Sequence, residues 1–139
     1  MRKYLVATHC TLAQGIKSSA EYLLGPQEDM DVINAYEGER YDLDKEISNN
    51  LARLGADDEL IVATDMFGGS VNNAFMSCLT DPRIYLLTGV NLPMVLELLT
   101  APASLPVREV IDRALQTGKE EIRFCNLIGE EDSVQEEDF

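Results

Sequence analysis

A single histidine occurs in the chain, His9, and it directly follows the short apolar run Tyr4-Leu5-Val6-Ala7 and Thr8. An imidazole can move a proton near neutral pH or carry a covalent group on a ring nitrogen, so a histidine at the mouth of a strand is a candidate for either chemistry. A second apolar run, Leu60-Ile61-Val62-Ala63, opens into Thr64-Asp65-Met66-Phe67-Gly68-Gly69-Ser70. If the two strands are neighbours, the Asp65 carboxylate reaches one nitrogen of His9 and decides which nitrogen presents its lone pair. Gly68 and Gly69 allow close backbone approach, and a helix opening near Ser70 aims free N–H groups into the crevice, which makes a cradle for an anion. The segment is neither a GxxxxGK[ST] phosphate loop nor a dinucleotide fingerprint.

One histidine, one carboxylate and an anion cradle, without a metal set or a serine nucleophile and its base, fit a covalent phosphoryl carrier best. The carboxylate would take the N–H of one imidazole nitrogen and leave the other to bond phosphorus. The cradle is needed on energetic grounds. A phosphoryl group brings roughly −1.5 to −2 charges, and a carboxylate ~6 Å away opposes each by roughly 3 kcal/mol at an effective dielectric near 20. A helix terminus returns up to ~2 kcal/mol, and each hydrogen bond to a charged oxygen roughly 1.5 to 3 kcal/mol.

The elements that must position these residues are legible as alternating patterns. Tyr4–Ala7, Val32-Ile33 with Ala35-Tyr36, Leu60–Ala63 and Ile84–Leu87 are short apolar runs of the kind buried on both faces of a parallel sheet. Between them lie helical spacings: Leu12, Ile16, Ala20, Leu23; Leu43, Ile47, Leu51, Leu54; Ala74, Phe75, Cys78; Leu92, Leu96, Leu99; and Val107, Val110, Ile111, Ala114. Gly25-Pro26, Gly55 and Gly118 read as helix stops, and Asp42 as an N-cap. The expected fold is a doubly wound α/β domain: a mainly parallel four-stranded sheet with helices on both faces. The half-polar stretch Glu121 to Leu127 reads as a further, edge strand or a subunit contact. In such a sheet ligands bind beyond the carboxyl ends of the strands. The four exits are Thr8-His9-Cys10-Thr11, Tyr36-Glu37-Gly38-Glu39, Asp65 to Ser70, and Thr88-Gly89-Val90-Asn91-Leu92-Pro93.

Composition narrows the function classes. With 139 residues and 45% hydrophobic content the chain amounts to one domain, residues 1–129, followed by a tail, 130–139, that reads as disordered. Six of the twenty-five acids and none of the eleven bases lie in that tail, so removing it from the net −14 leaves −8. Such a balance repels nucleic acid and anionic membrane alike. Met1-Arg2-Lys3 with its short apolar run is too brief for a signal peptide, no stretch is long enough to span a bilayer, and Cys10, Cys78 and Cys125 form no CxxC pair. The expectation is a soluble, cytoplasmic protein without disulfides, metal or cofactor.

The residues Thr8-His9, Asp65-Met66-Phe67-Gly68-Gly69-Ser70 with Asn73, and Gly89-Val90-Asn91-Leu92-Pro93-Met94 resemble the IIA component of the mannose-type bacterial sugar phosphotransferase system, in order along nearly the whole chain. The resemblance implies that His9 accepts phosphate from HPr and passes it to a IIB component, with membrane sugar permease components served indirectly. It implies that Asp65 orients His9, and that Ser70 and its neighbours Gly68 and Gly69, with Thr8, contact phosphate. It also implies a homodimer in which the last strand, Glu121 to Leu127 here, is exchanged. Two positions depart from the family pattern: Cys10 stands where glycine is usual, and Val71 where proline is. Cys10 reads as a small packed residue at a helix start. A receiver domain also places an aspartate at the end of strand three, but it needs an acidic pair after strand one where this chain has His9-Cys10. The phosphocarrier subunit that serves dihydroxyacetone kinase, and a regulatory domain of the same fold that passes no phosphate on, remain as alternatives.

Overall fold

A computed structural model describes residues 1–129; the tail expected over 130–139, and so its boundary with the domain, lies outside the described residues. Four strands, β1 (Arg2–His9), β2 (Met30–Ala35), β3 (Glu59–Thr64) and β4 (Ile84–Thr88), form one sheet in the order β2-β1-β3-β4, parallel throughout. Among the described residues six helices complete the fold: α1 (Leu12–Leu24), α2 (Leu43–Leu51), α3 (Ser70–Met76), α4 (Leu92–Thr100), α5 (Val107–Glu120) and the single turn α6 (Cys125–Ile128). The order places β1 and β3 side by side at the centre, so their carboxyl ends open together.

Both sheet faces are covered. On one, Ile47 of α2 and Val71 and Phe75 of α3 pack on Leu5, Ala7, Ile33, Ala35, Leu60 and Val62. On the other, α1, α4 and α5 bury Ala13, Ile16, Ala20, Met94, Val95, Leu98, Val110 and Ala114 against Val6, Met30, Ile61, Ala63 and Leu87. A parallel sheet buried in this way has continuous apolar strands, which is why the runs in the sequence do not alternate. Phe75 is completely enclosed; truncating such a side chain to alanine costs about 3–5 kcal/mol.

Asp42 caps α2 as its sequence suggests, its Oδ1 accepting from the Lys45 N–H at 3.1 Å. Gly25 ends α1 at φ 85°. Gly55 lies beyond the end of α2, whose C-cap is Ala52. Gly118 is no stop, because α5 runs through it to Glu120. A Cβ there would lie 3.2 Å from Met94 Cβ and 3.3 Å from Asn91 Oδ1, so the glycine serves the close packing of α5 on the start of α4.

Glu121 to Leu127 is corrected too: in the single chain it forms no strand, and residues 125–128 close into α6. A strand requires a hydrogen-bonding neighbour, and among the described residues the sheet pairs only β1 to β4. Ile122, Phe124 and Leu127 are left exposed. Among the described residues, no helix is long and apolar enough to cross a membrane.

Candidate functional site

His9 is the last residue of β1, and β3 delivers Asp65 beside it. One carboxylate oxygen, Asp65 Oδ2, accepts two hydrogen bonds from the same residue: from the His9 backbone N–H at 2.9 Å and from its ring Nδ1 at 2.7 Å. The other, Oδ1, accepts from the Met66 N–H at 3.0 Å. Burial pushes the Asp65 carboxyl up, but the donations from His9 outweigh it, and the group is held below its ordinary value of 3.8. Asp65 is therefore a carboxylate at neutral pH, Nδ1 carries the hydrogen it donates, and in the neutral imidazole Nε2 is left with a lone pair.

That lone pair faces Ser70, whose Oγ lies 3.3 Å from Nε2. Ser70 is the first residue of α3, with Gly69 as N-cap. Gly68 takes φ 79°, the left-handed region that a glycine enters without steric cost, and its carbonyl accepts from Asn73 Nδ2 at 3.2 Å. Gly69 is tightly enclosed: a Cβ would lie 2.9 Å from Met66 Cγ and 3.4 Å from His9 Cε1. The helix ladder begins where the Asn73 N–H reaches the Gly69 carbonyl at 2.9 Å, so the first-turn N–H groups ahead of it precede that ladder. Behind the turn, Thr64 Oγ1 donates to buried Asn72 Oδ1 at 2.8 Å and lies 2.9 Å from Thr88 Oγ1, tying α3 to both strands.

The structure thus gathers His9, Asp65, Gly69 and Ser70, with Gly68 in the same turn. Thr8 is placed apart: it is 0% exposed, and its Oγ1 accepts the Ala13 N–H of α1 at 2.8 Å. Adjacent residues of a strand point to opposite faces, so Thr8 turns away where His9 turns in. Cys10 is also unlike its expectation. It is exposed rather than packed and takes φ 51°, a conformation that glycine adopts freely and cysteine only with strain.

Sequence reasoning missed Tyr36 as a member of this group. Its hydroxyl donates to Ser70 Oγ at 2.8 Å, and its ring centroid lies 5.6 Å from that of His9. The one signal in the sequence is its place at the exit of β2, which flanks β1. A cleft of about 680 Å³ opens beside it, lined in part by Tyr36, Arg40, Tyr41 and Ser70. Another of about 520 Å³ lies around Met1, Arg2 and Tyr4, where β1 begins, at the far end from the strand exits. Next to His9 the loop exposes Met66 and Phe67, the latter by 81%.

Residues 3–115 match the family model described as PTS system fructose IIA component. The chain is 32% identical over 122 residues to the PTS system mannose-specific EIIAB component of Escherichia coli K12, covering 86% of this chain and 38% of that longer relative. Among solved structures it is similar to a Klebsiella pneumoniae protein provisionally assigned as a phosphoenolpyruvate-dependent sugar phosphotransferase system permease. The identity is 42% and the TM-score 0.87, with 91% of this chain and 93% of that one covered. It is also similar to phosphotransferase system component EIIA of Streptococcus agalactiae, at 26% identity and TM-score 0.80, with 91% and 99% covered.

Proposed function

The chain belongs to the family of fructose- and mannose-type IIA components of the phosphotransferase system, and from that premise we propose that it is a phosphoryl carrier whose His9 Nε2 takes phosphate from phospho-HPr and yields it to a IIB component. The observation that carries this reading is the contact of 2.7 Å between His9 Nδ1 and Asp65 Oδ2, with Nε2 turned to Ser70. In the forward step the Nε2 lone pair forms the bond to phosphorus, while the bond from phosphorus to the donor breaks and its electron pair stays with the donor. Nδ1 keeps its hydrogen, so the ring becomes positively charged, and the Asp65 carboxylate balances that charge without moving a proton. The same balance keeps the phosphoryl group ready to leave toward the next acceptor.

Ser70 and the first-turn N–H groups of α3 supply hydrogen bonds to the phosphoryl oxygens and offset the repulsion from Asp65. Thr8, buried and committed to α1, supports the site rather than touching phosphate. The exposed Met66-Phe67 knuckle lies where a partner protein must approach His9. With net −8 on residues 1–129, a basic docking face would speed encounter, and added salt would slow it. The carrier works in the cytoplasm as a homodimer, in which a second copy covers Ile122, Phe124 and Leu127. Sugar choice rests with membrane permease components that this chain serves indirectly.

Incubation with phosphoenolpyruvate, enzyme I and HPr should place one acid-labile phosphate on the chain, and His9→Ala should abolish it. Label persisting in His9→Ala would sink the assignment. Transfer onward to dihydroxyacetone kinase alone, with none to any IIB component, would overturn the sugar-system reading.

A further inference from the structure

We propose that Tyr36 is a positioning residue for His9, acting through the hydroxyl of Ser70; the proposal rests on the phosphoryl-carrier reading above. The hydrogen positions follow from one end. Asp65 is a carboxylate, so Nδ1 of His9 donates to it at 2.7 Å, and in the neutral ring that attacks phosphorus Nε2 accepts. The donor facing Nε2 is the Ser70 hydroxyl at 3.3 Å, and the Ser70 oxygen in turn accepts from the Tyr36 hydroxyl at 2.8 Å. A serine hydroxyl has one hydrogen. With Tyr36 donating to its oxygen, that hydrogen remains directed at the imidazole, and a donor that itself accepts a hydrogen bond is strengthened.

The arrangement must change in one place when phosphorus arrives. Nε2 then bonds phosphorus and can accept nothing, so the Ser70 hydrogen turns to a phosphoryl oxygen. Tyr36 keeps its bond to the Ser70 oxygen throughout, and only the hydrogen swings. No proton enters or leaves the chain of groups.

Tyr36 is held for this role from several sides. Its backbone takes φ 63°, which turns the residue off the end of β2. Its ring lies 5.6 Å from His9 on one side and meets Tyr41 edge-on at 5.7 Å on the other. The register of β2 against β1 pairs His9 with Ala35, so Tyr36 leaves its strand beside the histidine.

Tyr36→Phe keeps the ring and removes only the hydroxyl. It should slow phosphoryl transfer to His9 about fivefold, the effect of one lost neutral hydrogen bond. It should also shift the ¹⁵N resonance of His9 Nε2 toward that of an unbonded ring nitrogen. In a Ser70→Ala background the Tyr36→Phe change should cost no further rate within about twofold, because the intermediary is gone. An unchanged rate or an unmoved Nε2 resonance in Tyr36→Phe would overturn the proposal, and so would an equal penalty in both backgrounds. The resonance is read without phosphate, so a chain that accepts no label fails the carrier reading while the Tyr36 connection is still judged.

Discussion

The exits of β3 and β4 are built alike and used differently. Each strand ends in a threonine, Thr64 or Thr88, and the two hydroxyls lie 2.9 Å apart. Each exit then turns through a glycine of positive φ, Gly68 at 79° or Gly89 at 78°, and starts a helix. After β4 the helix start is filled from within. Asn91 Oδ1 accepts the Met94 N–H at 3.0 Å, its Nδ2 donates to the Gly118 carbonyl at 2.9 Å, and Pro93 brings no N–H at all. After β3 the cap is Gly69, which has no side chain to offer, and Ser70 turns its hydroxyl to His9. A helix start that satisfies itself is architecture, whereas one left unfilled beside a nucleophile can hold a ligand.

Changes at the two exits should therefore separate activity from stability. Asp65→Asn has the largest expected effect. An amide carries no charge to balance the imidazole ring, so transfer to His9 should fall about a hundredfold or more while the fold remains intact; an unchanged rate in the phosphoenolpyruvate-driven assay would remove Asp65 from the chemistry. Gly69→Ala forces a methyl to within 2.9 Å of Met66 Cγ and 3.4 Å of the imidazole, and should slow transfer about tenfold with little change in thermal midpoint. At the other exit, Asn91→Ala loses a cap and a bond to α5, costing about 2 kcal/mol of stability by denaturant titration. Its transfer rate per folded molecule should stay within about twofold of wild type, since distant sites act independently. A larger loss would mean that the β4 exit also shapes the site.

Acid tests the same contrast more gently. The folded-state carboxyl of Asp65 titrates below 3.8, so the unfolded chain binds its proton first as pH falls. The stability that Asp65 contributes is fully present above pH 3.8 and is lost as pH drops through the lower folded value. Unfolding followed by circular dichroism should show a shallower decline over that window in Asp65→Asn than in wild type. The smallest effect is expected away from both exits. The Tyr41 hydroxyl is buried with no partner among the described residues, and Tyr41→Phe should raise stability by about 1 kcal/mol.

Much of this was open to a reader of the sequence, and the misses share a cause. His9, Asp65 and the Gly68-Gly69-Ser70 turn could be joined because parallel strand order follows from the alternation of apolar runs and helices, and a central β1 beside β3 brings their exits together. Thr8 was misplaced because a strand buried on both faces has no alternation to show which way a side chain points. Gly118 looked like a helix end because its neighbour in space, Asn91, is 27 residues away in the chain. Glu121 to Leu127 carries a strand-like pattern, yet pattern alone supplies no hydrogen-bonding neighbour, and in the single chain residues 125–128 coil into α6. Tyr36 could not be assigned, since its role depends on a left-handed backbone and on a serine 34 residues on.

The sequence by itself determined the class of fold, the family resemblance and the three chemical parts: an imidazole, a carboxylate and a glycine-rich turn at strand exits. Those follow from local periodicity and residue type, which act over a few positions of chain. Only the tertiary structure decided that Asp65 accepts the hydrogen bond from Nδ1, that Nε2 faces Ser70, and that Tyr36 stands behind Ser70. Hydrogen-bond direction depends on distances of a few tenths of an ångström between residues far apart in sequence, and packing sets those distances.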